Sequence, residues 1–140
     1  MMASDYINSV VGKPWVNRAE GPDAFDCFGL VIDSFRKIDQ IELPAVPGYL
    51  DVEGDVDETV KDQKPLSYWV ASPAAEGTVA VCYKKIEGEL IAVHVGRYLC
   101  RGVLHALGRH GCEGQVRYNP RAVLEKLFDK VEYYAFDNAS

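Results

Sequence analysis

The residues of this chain best suited to covalent chemistry are scarce: four cysteines (Cys27, Cys82, Cys100, Cys112) and three histidines (His94, His105, His110). A thiol becomes a strong nucleophile once an imidazole takes its proton, so a cysteine and a histidine brought together can cleave acyl bonds. Cys27 is set apart by the apolar pattern on its C-terminal side. Phe28, Leu30, Val31, Ile32, Phe35 and Ile38 recur with helical spacing. That periodicity predicts an apolar helix of about three turns opening near Asp26 or Cys27. Asp26 is then the natural N-cap. Cys27 falls in the first turn, where free N–H groups and the positive end of the helix dipole favour thiolate over thiol. The plainer reading is a small buried hydrophobe, the usual role of a free cysteine.

His94 interrupts an otherwise apolar run, Ile91-Ala92-Val93-His94-Val95. Strict alternation would put it on one face with Ala92 and Gly96, whose small side chains leave room for an imidazole and a partner. His105 lies in the next strand, on the same face as Val103. A turn at Cys100-Arg101-Gly102 would pair the two strands and make the rings neighbours. His105 is then able to orient His94, as a third group must for a base. Otherwise each histidine simply fills a strand position. His110, among Gly108, Arg109 and Gly111, reads as solvated. A zinc site from Cys112, His105 and His110 fits no standard ligand spacing, and no metal or cofactor is expected. Turn and cap roles account for Asp23 and Asp26, although either carboxylate can do acid–base work.

The elements that must position these groups divide the chain in two. Ser4-Asp5 can cap a short helix through Val11, ended by Gly12 and Pro14. Gly21-Pro22-Asp23 is a turn signal. After the Cys27 helix, Pro44, Pro47 and Gly48 break the pattern, and the acidic run from Asp51 to Asp62 reads as a solvated surface helix or loop. Strand signals come next: Thr78–Tyr83 and Leu90–Val95 around a Glu87-Gly88 turn, then Val103–Ala106. Asn119-Pro120 reads as an N-cap with proline at the first helical position, opening a helix to Phe128. Val131–Phe136 is a closing strand. Helices first and an antiparallel sheet second make an α+β fold.

With 140 residues the chain suits one domain, 1–140, and 48% hydrophobic residues supply its core. A domain of this size buries about 68–70% of its unfolded surface, so no disulfide or metal is needed to hold it. A formal net charge of −6 with no basic stripe argues against nucleic acid as a partner. No apolar run approaches the roughly 18 residues of a membrane span, so no membrane insertion is expected. The opening residues lack a signal peptide's basic and apolar regions. The expectation is a protein made in the cytoplasm with reduced cysteines, none of them in a CxxC pair.

Taken together, these residues resemble the NlpC-type cell-wall peptidases, a papain-like family. Phe25-Asp26-Cys27-Phe28-Gly29-Leu30-Val31 resembles the family's "DCSGL" motif. Ala92-Val93-His94-Val95-Gly96-Arg97-Tyr98-Leu99 resembles its "HVGIYL" strand, and Gly102-Val103-Leu104-His105-Ala106 the strand after it. Gly12-Lys13-Pro14-Trp15 resembles the "G-x-P-Y" segment, and Gly77-Thr78-Val79-Ala80-Val81 the "GDLV" strand start. The matches run in family order from Gly12 to Ala106. The resemblance implies a papain-like (NlpC-type) fold with N-terminal helices packed on an antiparallel sheet. It implies Cys27 as nucleophile, His94 as base and His105 as orienting residue. Trp15, Asp26 and Phe28 become candidate substrate-binding residues beside the nucleophile. The implied substrate is the peptidoglycan stem peptide, cut at an amide bond. Gly21–Leu30 and Ile41-Glu42-Leu43-Pro44 resemble a phage tail-associated subgroup, implying phage tail proteins as partners and a virion-associated location. Two departures stand out: Phe28 replaces the usual serine, and Trp15 the usual tyrosine. They support the alternative of a catalytically silent structural module of a phage tail or similar assembly.

Overall fold

The computed structural model describes residues 1–43, 69–109 and 112–137. The acidic run from Asp51 to Asp62, the breaks at Pro44, Pro47 and Gly48, and His110 lie outside the described residues.

Helix α1 (Ala3–Val10) buries Tyr6, Ile7 and Val10. It starts earlier than the Ser4-Asp5 pair suggests: Met2 is its N-cap and supplies no side-chain bond. Asp5 lies instead in the first turn, where its charge suits the helix dipole. Gly12, at φ +91, carries the chain out of the helix and onto the sheet. There Gly12 and Trp15 donate to the Val116 and Gly114 carbonyls, and Val116 donates back to Lys13.

Helix α2 (Cys27–Ser34) is the predicted apolar helix, and it passes directly into a π-turn (Phe35–Asp39). Gln40, in the left-handed conformation, ends it. Tyr6 donates to Asp33 at 2.7 Å, a buried bond that ties α1 to α2.

Among the described residues, six antiparallel strands make one sheet in the order β1-β6-β2-β3-β4-β5. They are β1 (Trp69–Ser72), β2 (Val79–Ile86), β3 (Glu89–Leu99), β4 (Gly102–Arg109), β5 (Cys112–Pro120) and β6 (Lys130–Phe136). Glu87-Gly88 joins β2 to β3, and Cys100-Arg101 joins β3 to β4, with φ positive at all four residues. That is the geometry two-residue hairpins require. The Tyr118 hydroxyl reaches the Leu99 and Cys100 carbonyls, bracing the second turn.

Two edge strands, β1 and β5, carry weak sequence signals because each buries little. Trp69 is the buried residue of β1, and Val116 is a buried anchor of β5. Since β5 runs on to Pro120, Pro120 itself takes the N-cap position of α3 (Arg121–Leu127). Asn119 is therefore a strand residue, not the helix cap.

Helix α2 lies on one face of the sheet. Phe28, Val31 and Phe35 pack there against Val79, Val81 and Val95. Beside them Leu30 joins Phe25, Leu99, Leu104 and the apolar side of α1. The other face is covered by α3, with Leu124 against Ala80, Cys82, Val103 and Tyr133. Arg97, 3% exposed, fastens the π-turn to β3. Its guanidinium pairs with Asp39 at 2.6 Å and lies 3.5 Å over the Phe35 ring. The strand that carries His94 thus also holds the far end of the helix that carries Cys27.

Candidate active site

Asp26 builds the platform for Cys27. Its Oδ1 accepts from the Gly29 N–H at 2.6 Å and its Oδ2 from the Arg18 N–H at 2.8 Å. Its own N–H donates to the Ala19 carbonyl. The loop before α2 therefore wraps closely over the helix start. A Cβ on Gly29 would overlap the Ala19 carbonyl oxygen, which explains the glycine two residues after the cysteine. One Asp26 oxygen caps the helix, the other holds the Arg18 loop, and the residue is 7% exposed. Burial raises its pKa, against the pull of the two backbone donors.

Cys27 opens α2 where the sheet parts. The β3–β4 ladder pairs Leu99, Tyr98 and Arg97 with Gly102, Val103 and Leu104 and goes no further. The β2–β3 ladder continues past His94. The N–H groups of Val95, at this opening, and of Phe28 act on the Cys27 sulfur and favour its thiolate. Helix dipole and N–H donors favour a thiolate, as expected, yet burial outweighs them. Together with the neighbouring Asp26 charge, burial pushes the thiol up to about 12.

His94 stands one residue from that contact, and its face differs from strict alternation. The register steps from Cys82↔His94 to Tyr83↔Ala92, leaving Val93 as the extra residue of a β-bulge. Ala92 packs on the α2 side. His94 shares its face with Gly96, not with Ala92, because the bulge breaks the two-residue period. Its ring stacks on Phe128 at 5.5 Å between centroids, with a 12° interplanar angle. Burial, with a smaller effect from the neighbouring His105, pushes its pKa down to about 3. Both groups therefore rest neutral, as thiol and imidazole. The Cys27 sulfur reaches the strand at Val95, while His94 Nε2 is turned to His105.

His105, fully buried, lies 2.9 Å from His94, its Nδ1 facing Nε2. Gly96 permits this approach, since a Cβ there would stand 2.8 Å from Val103 and 3.0 Å from the His105 Cβ. On its far side, His105 Nε2 meets Asn119 Oδ1 at 2.7 Å. The three polar side chains form one line across β3, β4 and β5. Burial lowers the pKa of His105 also.

The remaining candidates separate. Trp15 is half-buried, its ring against the β4 backbone at Gly108, where a Cβ would lie 2.5 Å from the indole. Phe28 is 4% exposed and its ring is part of the α2-side core. Asn119 and Phe128 are the neighbours of the histidines that sequence reasoning missed. Only the strand register, which sets Asn119 opposite Val103, reveals the first of them.

No protein-family model matches the sequence, and no curated protein matches it. A solved structure does match in shape: the NlpC/p60 domain of peptidoglycan hydrolase SagA. The TM-score is 0.55 at 13% sequence identity, over 94% of this chain and 93% of that one. A few helices on a six-stranded antiparallel sheet, in the arrangement of an NlpC/p60 domain, are thus the fold of this chain.

Proposed function

We propose that the chain is a cysteine peptidase or amidase acting on peptidoglycan stem peptides, with Cys27 as nucleophile, His94 as base and His105 orienting the base. The observation that carries this reading is the contact of His94 Nε2 with His105 Nδ1 at 2.9 Å, on the strand whose Val95 N–H acts on the Cys27 sulfur. The likeness to the NlpC/p60 domain supports the substrate class. Trp15, half-buried against Gly108, is the proposed substrate contact of the three candidates; Asp26 and Phe28 serve by shaping the helix start.

His94 Nε2 faces His105, so Nδ1 is the nitrogen left for Cys27. Catalysis requires the thiol to reach that nitrogen, and catalytic hydrogen bonds commonly tighten only with substrate bound. As sulfur attacks the amide carbonyl, its proton passes to Nδ1. The backbone N–H of Cys27 faces the developing oxyanion, a donor typically worth about 2.7–4 kcal/mol. The C–N bond breaks, the leaving amine takes the proton from His94, and a thioester remains. Water, deprotonated by His94, then hydrolyses it, releasing the acid and restoring the thiol.

Incubation of the wild-type protein and Cys27→Ala with purified muropeptides, followed by mass analysis, tests the reading. Wild type should shorten the stem peptides, and the variant should not, at unchanged circular dichroism. Equal turnover by both rejects Cys27. A second reading, a silent module of a phage tail or similar assembly, is favoured by the enclosure of the site: His94 is 4% exposed and both reactive groups rest neutral. Absence of cleavage by the wild type would select it.

A further inference from the structure

We propose that Asn119 is a positioning residue that fixes the ring tautomers of both His105 and His94, leaving His94 Nδ1 without hydrogen. This deepens the peptidase reading and rests on it for its catalytic consequence. Two imidazoles at 2.9 Å need one N–H and one lone pair between them, and a pair of neutral rings can satisfy this in either direction. The two directions are not equivalent. If His105 Nδ1 donates, His94 Nε2 is the acceptor and its Nδ1 carries hydrogen, so His94 cannot take a proton from the thiol. If His94 Nε2 donates, its Nδ1 is free to act as base.

Nothing in the histidine pair chooses between them; the 2.7 Å contact from His105 Nε2 to Asn119 Oδ1 does. A carbonyl oxygen only accepts, so Nε2 of His105 must carry its hydrogen. The Nδ1 of a neutral His105 then has only a lone pair, and His94 Nε2 must donate to it. That leaves His94 Nδ1 bare. The fold supports the arrangement at each step. Asn119 and Val103 are register partners, as are Arg117 and His105, so Asn119 reaches His105 diagonally on one face of the sheet. His105 is fully buried, leaving no room for water to offer a competing partner. Asn119 is thereby spared for this contact, because Pro120 occupies the cap position of α3.

Long-range proton–nitrogen correlation spectra of the protein labelled with ¹⁵N-histidine read the tautomer of each ring directly. The expected wild-type result is hydrogen on Nε2 and none on Nδ1 for both His94 and His105. Asn119→Leu, close in size but without an acceptor, should let His105 populate the Nδ1–H form and transfer that hydrogen position to His94. Peptidoglycan hydrolysis should then fall in kcat, with KM little changed, by roughly the 10–100-fold seen when a partner that orients a metal-bound imidazole is lost. Asn119→Asp, which keeps an acceptor, should retain the wild-type tautomers. An Nδ1–H signal for His94 in the wild type overturns the proposal, and so do unchanged tautomers in Asn119→Leu. The wild-type spectrum needs no variant, so it decides even if Asn119→Leu fails to fold. It needs no turnover either: an inactive wild type with the expected tautomers would count against the peptidase and leave the role of Asn119 standing.

Discussion

Replacing His94 with glutamine should flatten the acid limb of the protein's stability profile. His94 is 4% exposed, stacked on Phe128 and held against a second imidazole, and its pKa is pushed down to about 3. In the unfolded chain it returns to the ordinary value of about 6.5. Below that pH the unfolded state binds a proton that the folded state refuses. Stability must therefore fall as pH falls, by about 1.4 kcal/mol per pH unit for this one ring. From about pH 6.5 to 4.5 the loss is about 2.3 kcal/mol, since the slope is only half developed at the unfolded pKa, and this is a large part of the roughly 5–15 kcal/mol that holds a domain together. His105, also lowered by burial, acts in the same direction. Carboxylates contribute to the acid limb too, but they are common to wild type and His94→Gln. Urea unfolding of both proteins at several pH values between about 7.5 and 4.5 isolates the His94 part as the difference in slope. Glutamine still donates to His105, so any packing penalty shifts the whole curve without tilting it. Two parallel curves would refute the claim that His94 rests neutral and excluded from water.

Three further outcomes arise from the same geometry. Gly29→Ala should cost at least the roughly 1–3 kcal/mol typical of overpacking, because its methyl overlaps the Ala19 backbone carbonyl; an unchanged urea midpoint would deny that close approach. Asp26→Ala should cost about 2 kcal/mol, about 1 for the lost helix cap and a similar amount for the lost Arg18 N–H bond; a melting temperature equal to wild type would contradict it. With iodoacetamide at neutral pH, exposed Cys100 should alkylate before Cys27 and Cys82, whose thiols burial pushes up; peptide mapping that finds Cys27 modified first would show a resting thiolate instead.

Much of this site is legible in the sequence because its signals are local. The apolar spacing after Cys27 predicts α2, and Asp26 caps it as its position demands. The turns at Glu87-Gly88 and Cys100-Arg101 fix the hairpins that bring His94 to His105. The features hidden from sequence depend on longer-range facts. A bulge at Val93 turns His94 away from Ala92, and no residue type in that run announces it. Edge strand β5 alternates polar and apolar residues too weakly to be seen, so Asn119 reads as a helix cap. The helix position of Cys27 argues for a thiolate, but burial is set by the packing of β3 on α2, and it wins.

The proposed reaction requires a proton to pass from sulfur to imidazole, and the crystal structure of Cys27→Ser with a bound stem peptide measures the relevant separation. The distance from the residue-27 side-chain oxygen to His94 Nδ1 should be within about 3.5 Å, allowing for a loosely held hydrogen bond. A residue-27 hydroxyl still directed at the Val95 N–H, with His94 Nδ1 turned away from the scissile amide, would contradict it.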